Sequence, residues 1–222
     1  MIYILDTANL QEIKRAYEFY PMEGVTTNPS IISKEKEDFI KILKNIREII
    51  GNDSMLHAQV LSLKAEDMIE EAKYIAEQVG GNIYIKIPVT PDGIKAIKIL
   101  NKAGYKITAT AIFTPQQALI AAKAGAHFVA PYVNRIDNIS GNGVEVVGEI
   151  IKLLEFNSLN TKVLAASFKN VQQVNEVALR GCQSVTVGSD IMDKLIEHPL
   201  TELSVKQFIN DWENAYNKIT VL

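Results

Sequence analysis

Ile83-Tyr84-Ile85-Lys86-Ile87-Pro88-Val89 has the composition and the period-two alternation of a β-strand, with Ile83, Ile85, Ile87 and Val89 on one face and Tyr84, Lys86 and Pro88 on the other. A lysine at the centre of such a strand needs a physical reason. A buried ammonium must find partners or release its proton, and an amine that releases its proton readily is a nucleophile toward carbonyl carbon. The plainer alternative is an edge strand whose lysine points at water. The flanking sequence decides between the two.

Just upstream, residues 64–79 space Ile69, Ala72, Ile75, Ala76 and Val79 at the three-to-four interval of a buried helical face, and Gly80-Gly81 stops that helix. Just downstream, Thr90 as N-cap and Pro91 in the first turn open a helix that Gly104 closes. The same unit repeats along the chain. Strands are expected at 2–7, 24–28, 55–61, 83–89, 106–113, 127–133, 162–167 and 184–187. Helices are expected at 9–20, at 30–50 with a break over 33–38, from Thr114-Pro115 to Gly125, and at 144–156, 171–180, 190–197 and about 201–218. Residues 134–143 read as the longest loop. Eight strand–helix units in 222 residues, with no linker between them, predict an α/β fold: a (β/α)8 TIM barrel in one domain, 1–222, with an extra C-terminal helix. A doubly wound open sheet would need a glycine-rich first turn, where this chain has Thr7-Ala8-Asn9-Leu10.

Composition narrows the function classes. A net charge of −3 without basic clusters argues against nucleic acid or acidic membrane as partners. No apolar run reaches the ~18 residues of a membrane span, and Met1-Ile2-Tyr3-Ile4-Leu5-Asp6 lacks the basic head of a signal peptide, so a cytoplasmic location is expected. The one cysteine, Cys182, reads as a small buried residue beside Gly181, and no Cys/His spacing suggests a metal. No cofactor is called for.

Comparing strand faces assigns the inside of the barrel. Ile4 and Asp6 oppose Leu5; Thr26 and Asn28 oppose Val25; His57 and Gln59 oppose Ala58. Likewise Thr108 and Thr110 oppose Ala109, Ala130 and Tyr132 oppose Val129, and Ala165 and Ser167 oppose Leu164 and Ala166. The apolar faces suit the helices, so the mixed faces are expected to point inward. Asp6, Asn28, Gln59, Lys86, Thr110, Tyr132 and Ser167 then converge at the carboxyl ends of seven strands, where active sites of this fold lie. Packed barrel interiors otherwise favour Val, Ile and Leu. His57, a layer deeper than Gln59, reads as structural. Arg135, just past the sixth strand, is a natural anion clamp.

The inventory suggests a reaction. A neutral Lys86 amine can attack a ketone and lose water, and the resulting iminium accepts electrons as an adjacent carbon–carbon bond breaks or forms. Asp6 is the best general acid/base candidate, with Gln59, Thr110 and Tyr132 holding a water for proton transfer.

These residues also carry a family resemblance. Leu5-Asp6-Thr7-Ala8-Asn9, Gly24-Val25-Thr26-Thr27-Asn28-Pro29-Ser30, Ile85-Lys86-Ile87-Pro88 and Ala165-Ala166-Ser167-Phe168 resemble the signatures of the small transaldolase family, which includes the fructose-6-phosphate aldolases. The resemblance runs through essentially the whole chain. It implies a Schiff-base lysine at Lys86, an acid/base aspartate at Asp6, a donor asparagine at Asn28 and a water-holding threonine at Thr110. It also implies phosphate ligands at Arg135 and Ser167; Thr26, on the inward face of the second strand with Asn28, is a further substrate-binding candidate. Gln59 and Tyr132 resemble the aldolase branch, since transaldolases typically carry Glu and Phe there. Expected substrates are sugar phosphates and dihydroxyacetone, in carbohydrate metabolism close to the pentose phosphate pathway. The family pattern further implies a homo-oligomer, pentamer or decamer, through the terminal helix. One departure is Gly188, where a proline is usual; it is expected to loosen the mouth of the eighth strand. A transaldolase, or a sugar-phosphate-binding barrel without catalysis, are the competing readings.

Overall fold

All eight strands expected from the alternation are present, and each pairs in parallel with the next. The structure, a computed structural model, describes residues 1–222. In chain order the first half comprises β1 (Ile2–Asp6), α1 (Leu10–Phe19), β2 (Gly24–Thr26), α2 (Pro29–Glu35), α3 (Phe39–Ile50), β3 (Met55–Gln59), α4 (Ala65–Val79), β4 (Ile83–Pro88) and α5 (Pro91–Lys102). The second half comprises β5 (Ile107–Ile112), α6 (Pro115–Lys123), β6 (Phe128–Pro131), α7 (Val133–Asp137), α8 (Gly143–Phe156), β7 (Lys162–Ala165), α9 (Val171–Leu179), β8 (Ser184–Val187), α10 (Ser189–Lys194) and α11 (Pro199–Tyr216). Strand order β1 to β8 is sequential and β8 closes onto β1, through pairs such as Tyr3 with Val185. This is a (β/α)8 TIM barrel with an added C-terminal helix.

Local chemistry explains where the helices begin. Asn9, Asn28, Asp38, Thr90, Asn142 and Asn170 each turn a side-chain oxygen onto the first backbone N–H groups of the helix that follows, and Thr114 and Gln117 make a reciprocal capping box on α6. Asn9, Asn28, Thr90, Thr114 and Asn170 follow closely on strand ends and launch their helices from the same rim of the barrel, whereas Asp38 and Asn142 cap helices that follow another helix. Two cores result. The larger lies between the outer strand faces and the helices and contains Leu5, Val25, Ile85, Ile87, Ala109 and Val163; the smaller fills the barrel axis with Ile4, Phe128, Ala130 and Leu164.

Three expectations are corrected. The stretch 134–143 is not all loop, since α7 forms at its start, tied to the segment just after β7 by Val133 N donating to Ala166 O (2.9 Å) and Asn134 N donating to Ser167 O (2.8 Å). The face assigned to β7 is reversed: Leu164 belongs to the axial core and Ala165 to the outer one. With Leu, Ala and Ala at successive positions, side-chain polarity carried no information about which face is which. Finally, β2 ends at Thr26, because Asn28 serves as the N-cap of α2. Gly188, where the family pattern has proline, sits at φ −67°, ψ 160°, a backbone that proline itself adopts.

α11 differs from every other long helix. None of its 18 residues is buried, and Leu203, Phe208 and Trp212 stand exposed. No helix of the chain is long and apolar enough to cross a membrane.

Candidate active site

At the carboxyl ends of the strands lies a cavity of about 110 Å³ lined by Asp6, Thr26, Asn28, Lys86, Thr110, Ala130, Tyr132, Arg135, Leu164, Ala166, Ser167 and Thr186. Parallel strands with inward-facing alternate residues force this convergence. Eight of the nine residues singled out in the sequence meet there. Gln59 does not line the cavity; it is half-buried on β3, in register with Lys86 on β4.

Lys86 is buried, and its Nζ donates to the carbonyl oxygen of Thr27 at 2.8 Å. Burial pushes its pKa below the ordinary 10.5, while the nearby Asp6 carboxylate opposes the shift. The amine is therefore easier to deprotonate than a surface lysine. Thr27, which supplies the carbonyl, is locked in turn, since both its backbone N–H and its hydroxyl donate to His57 O at 2.9 and 3.1 Å.

Asp6 is oriented by a short hydroxyl chain. Thr26 Oγ1 donates to Asp6 Oδ1 at 2.6 Å and also lies 2.6 Å from Thr186 Oγ1. A threonine hydroxyl has one proton, so if Thr26 gives it to the carboxylate, Thr186 must donate to Thr26. The chain runs Thr186 to Thr26 to Asp6 and leaves the second carboxylate oxygen free for proton transfer. Thr186 was overlooked in the sequence, although Ser184-Val185-Thr186-Val187 alternates hydroxyl and apolar residues and places Thr186 inward.

Across the cavity Thr110 Oγ1 and Tyr132 Oη are 2.9 Å apart, a hydroxyl pair suited to holding one water. Tyr132 packs edge-on against Phe113, and the Arg135 guanidinium lies 4.6 Å from the centre of its ring. Arg135 takes part in none of the four ion pairs of the molecule and is exposed at the cavity mouth. Asn28 has two roles. Its Oδ1 accepts from Ile31 N at 3.0 Å as a cap, which leaves its amide N–H groups for the cavity.

Ser167 reaches the site by an unexpected route. The strand has ended at Ala165, and Ser167 turns into the left-handed region at φ 62°, a strained conformation for a residue other than glycine. Ala111, at φ 58°, does the same on β5, where a bulge sends Ile112 to the outer core. Both distortions lie toward the carboxyl-end rim of the barrel, where the cavity opens.

One layer below, His57 Nδ1 is 2.8 Å from Thr108 Oγ1, its ring is stacked on Tyr84 at 4.7 Å, and its Nε2 has no partner. Burial and the charge of Lys86 hold its pKa well below the ordinary 6.5. Cys182 is buried at the base of β8, and burial raises its thiol pKa.

A closed barrel with a buried lysine and a carboxylate in a polar cavity at its carboxyl rim defines an enzyme-like site of the (β/α)8 class. Solved barrels share the architecture: a dihydrodipicolinate synthase from Rhodopseudomonas palustris superposes at TM-score 0.60 with 12% identity, covering 84% of this chain and 69% of that one. A structure described as native KDPGal superposes at 0.61 with 16% identity, covering 85% and 82%. At such identities the likeness concerns the fold alone. The sequence is more specific. Residues 3–221 match the family described as Transaldolase/Fructose-6-phosphate aldolase, and a protein called "Probable transaldolase" from Clostridioides difficile (strain 630) is 42% identical over 219 residues, covering 99% of this chain and 100% of that one. The chain belongs to the transaldolase/fructose-6-phosphate aldolase family.

Proposed function

We propose that this enzyme is a class I aldolase that cleaves fructose 6-phosphate reversibly into dihydroxyacetone and glyceraldehyde 3-phosphate through a Schiff base on Lys86. The observation that carries the reading is the buried Lys86 amine, its pKa lowered, in a polar cavity with Asp6. Neutral Lys86 adds to the substrate ketone and water leaves, giving the iminium. Asp6 takes the proton of the hydroxyl on the carbon next to the scissile bond; that bond breaks, glyceraldehyde 3-phosphate departs, and the electron pair moves toward the iminium nitrogen as an enamine. A water held by Thr110 and Tyr132 delivers the proton to the enamine carbon, and a second water hydrolyses the iminium to dihydroxyacetone. Arg135, Ser167 and Asn28 receive the phosphate and hydroxyl groups of the substrate. Gln59, outside the cavity lining, is given the lesser role of supporting Lys86 from the adjacent strand. The whole chain, 1–222, is taken as one barrel domain.

The decisive experiment is borohydride reduction with fructose 6-phosphate present. A covalent adduct on Lys86 is the expected outcome, and an unmodified Lys86 overturns the reading. The name of the 42% identical relative favours a second reading, transfer of the dihydroxyacetone unit between sugar phosphates by a transaldolase of the pentose phosphate pathway. Release of glyceraldehyde 3-phosphate without added erythrose 4-phosphate supports the aldolase; strict dependence on that acceptor supports the transaldolase. The unburied apolar face of α11 supports homo-oligomeric assembly, and a monomer in sedimentation at working concentration contradicts it; a cytoplasmic location goes with the reading as a metabolic enzyme.

A further inference from the structure

Arg135 and Ser167 stand on different elements, and both need outside support. Arg135 is carried by α7, a helix of only five residues, and Ser167 by a left-handed turn that costs conformational energy. One side-chain bridge joins the two segments away from the cavity. Gln173, in the first turn of α9 and only 9% exposed, accepts from Lys169 N with its Oε1 (2.7 Å) and donates from its Nε2 to Asp137 Oδ2 (2.7 Å). The other oxygen of Asp137, the last residue of α7, accepts from Gly143 N at 2.7 Å. Gly143 is forced to be glycine there, since a Cβ would lie 2.4 Å from Val133 O. Together with Asn134 N donating to Ser167 O, the bridge closes a ring around the Arg135 and Ser167 segments.

α6 supplies an internal control. Gln117 holds the equivalent place in its first turn and accepts from Phe113 N and Thr114 N, yet its amide N–H groups reach no other element. Capping alone therefore needs only the oxygen. The bond from Gln173 Nε2 to Asp137 is additional. Its amide orientation is also fixed, because Lys169 N requires an acceptor while the Asp137 carboxylate requires a donor.

We propose that Asp137 and Gln173 are positioning residues that hold Arg135 and Ser167 at the separation a substrate phosphate requires. This rests on the aldolase reading for the substrate, but the phosphate-holding claim has its own readout. The test uses polarity reversal. Gln173→Glu keeps the acceptor for Lys169 N and sets a carboxylate against Asp137. Asp137→Asn keeps the acceptor for Gly143 N and sets an amide donor against the Gln173 amide. The double variant restores the bond with donor and acceptor exchanged.

Each single variant should raise KM for glyceraldehyde 3-phosphate about tenfold in the addition of dihydroxyacetone, the weight of one charge-assisted hydrogen bond, with kcat within about twofold. KM for unphosphorylated glyceraldehyde should not move, and the double variant should return KM to within about threefold of the parent. Inorganic phosphate binding, followed by calorimetry, should weaken and recover in parallel. Equal losses with both aldehydes, no loss with either, or no recovery in the double variant overturns the proposal. Asp137→Asn is the milder lesion and carries the comparison if Gln173→Glu does not fold. The two readings fail separately: without aldolase turnover the phosphate titration still judges the bridge, whereas normal turnover with unchanged phosphate affinity rejects the bridge alone.

Discussion

Lys86 and His57 are basic side chains sealed inside the same barrel on adjacent strands, and burial lowers the pKa of both. Their surroundings separate them. Lys86 opens onto a polar cavity, has Thr27 O as a fixed acceptor and faces a carboxylate; His57 lies beneath, stacked on Tyr84 and edge-on to Phe128, with one nitrogen unpartnered. Desolvation alone thus favours the neutral form of a base without giving it a partner for chemistry. What Lys86 has in addition is a position at the rim, open to a polar cavity that also holds the Asp6 carboxylate.

Removing Lys86 should break this contrast most completely. Lys86→Met is expected to reduce turnover to background and abolish borohydride labelling, yet to raise stability near neutral pH. The sign follows from linkage. With a folded pKa below the ordinary 10.5, the unfolded chain binds a proton that the folded one resists, so burying Lys86 costs stability below the folded pKa, and that cost fades as pH rises toward 10.5. Urea melts should show the Met variant ahead at pH 7 and converging with the parent at high pH.

Asp6→Asn comes next. It keeps the shape of the carboxylate but not its basicity, so kcat should fall about 10²- to 10⁴-fold, the usual range for a lost general base. The lysine adduct should still be trapped. Loss of the adduct along with turnover would assign Asp6 to iminium formation instead. A smaller effect is expected at Thr186→Val, which removes only the far donor of the hydroxyl chain: about tenfold in kcat, near the value of one hydrogen bond, with Thr186→Ser restoring it. An unchanged rate in the Val variant would reduce Thr186 to a wall of the cavity.

Much of this arrangement was legible in the sequence because β-strand periodicity reports on faces. Asp6, Thr26, Lys86 and Thr110 line the cavity as alternation expects, since each is preceded by an apolar residue of the opposite strand face, Leu5, Val25, Ile85 and Ala109. Legibility failed where that physical signal is absent. Leu164, Ala165 and Ala166 do not differ enough in polarity to mark a face, so β7 was read reversed, and Ser167 reaches the cavity through a left-handed turn rather than by parity. Gln59 has the right parity but sits beside Lys86 without lining the cavity. α7 was missed because Val133-Asn134-Arg135-Ile136-Asp137 is too short for helical periodicity to register; backbone bonds to the Ala166-Ser167 segment hold it. The bridge from Asp137 to Gln173 joins residues 36 apart in sequence, a pairing that no local pattern can announce.

The smallest effect should come from the lower layer. His57 and Thr108 are both fully buried and bonded to each other, and neither lines the cavity. Replacing both, His57→Phe with Thr108→Val, removes the polar pair as a unit and puts a ring where the imidazole stacked on Tyr84, so activity should stay within about twofold and stability at pH 8 should change little. The difference belongs at lower pH. Because the folded imidazole resists protonation well below its ordinary 6.5, the unfolded chain gains a proton first as pH falls, and the parent loses stability there at up to about 1.4 kcal/mol per pH unit. The double variant lacks that drain. Urea midpoints compared between pH 8 and pH 5 should therefore diverge in favour of the variant only below about 6.5, as the histidine reference value requires. Parallel pH profiles would show that His57 takes up its proton as easily inside the barrel as outside, and a large loss of turnover would move it from the packed layer into the chemistry above.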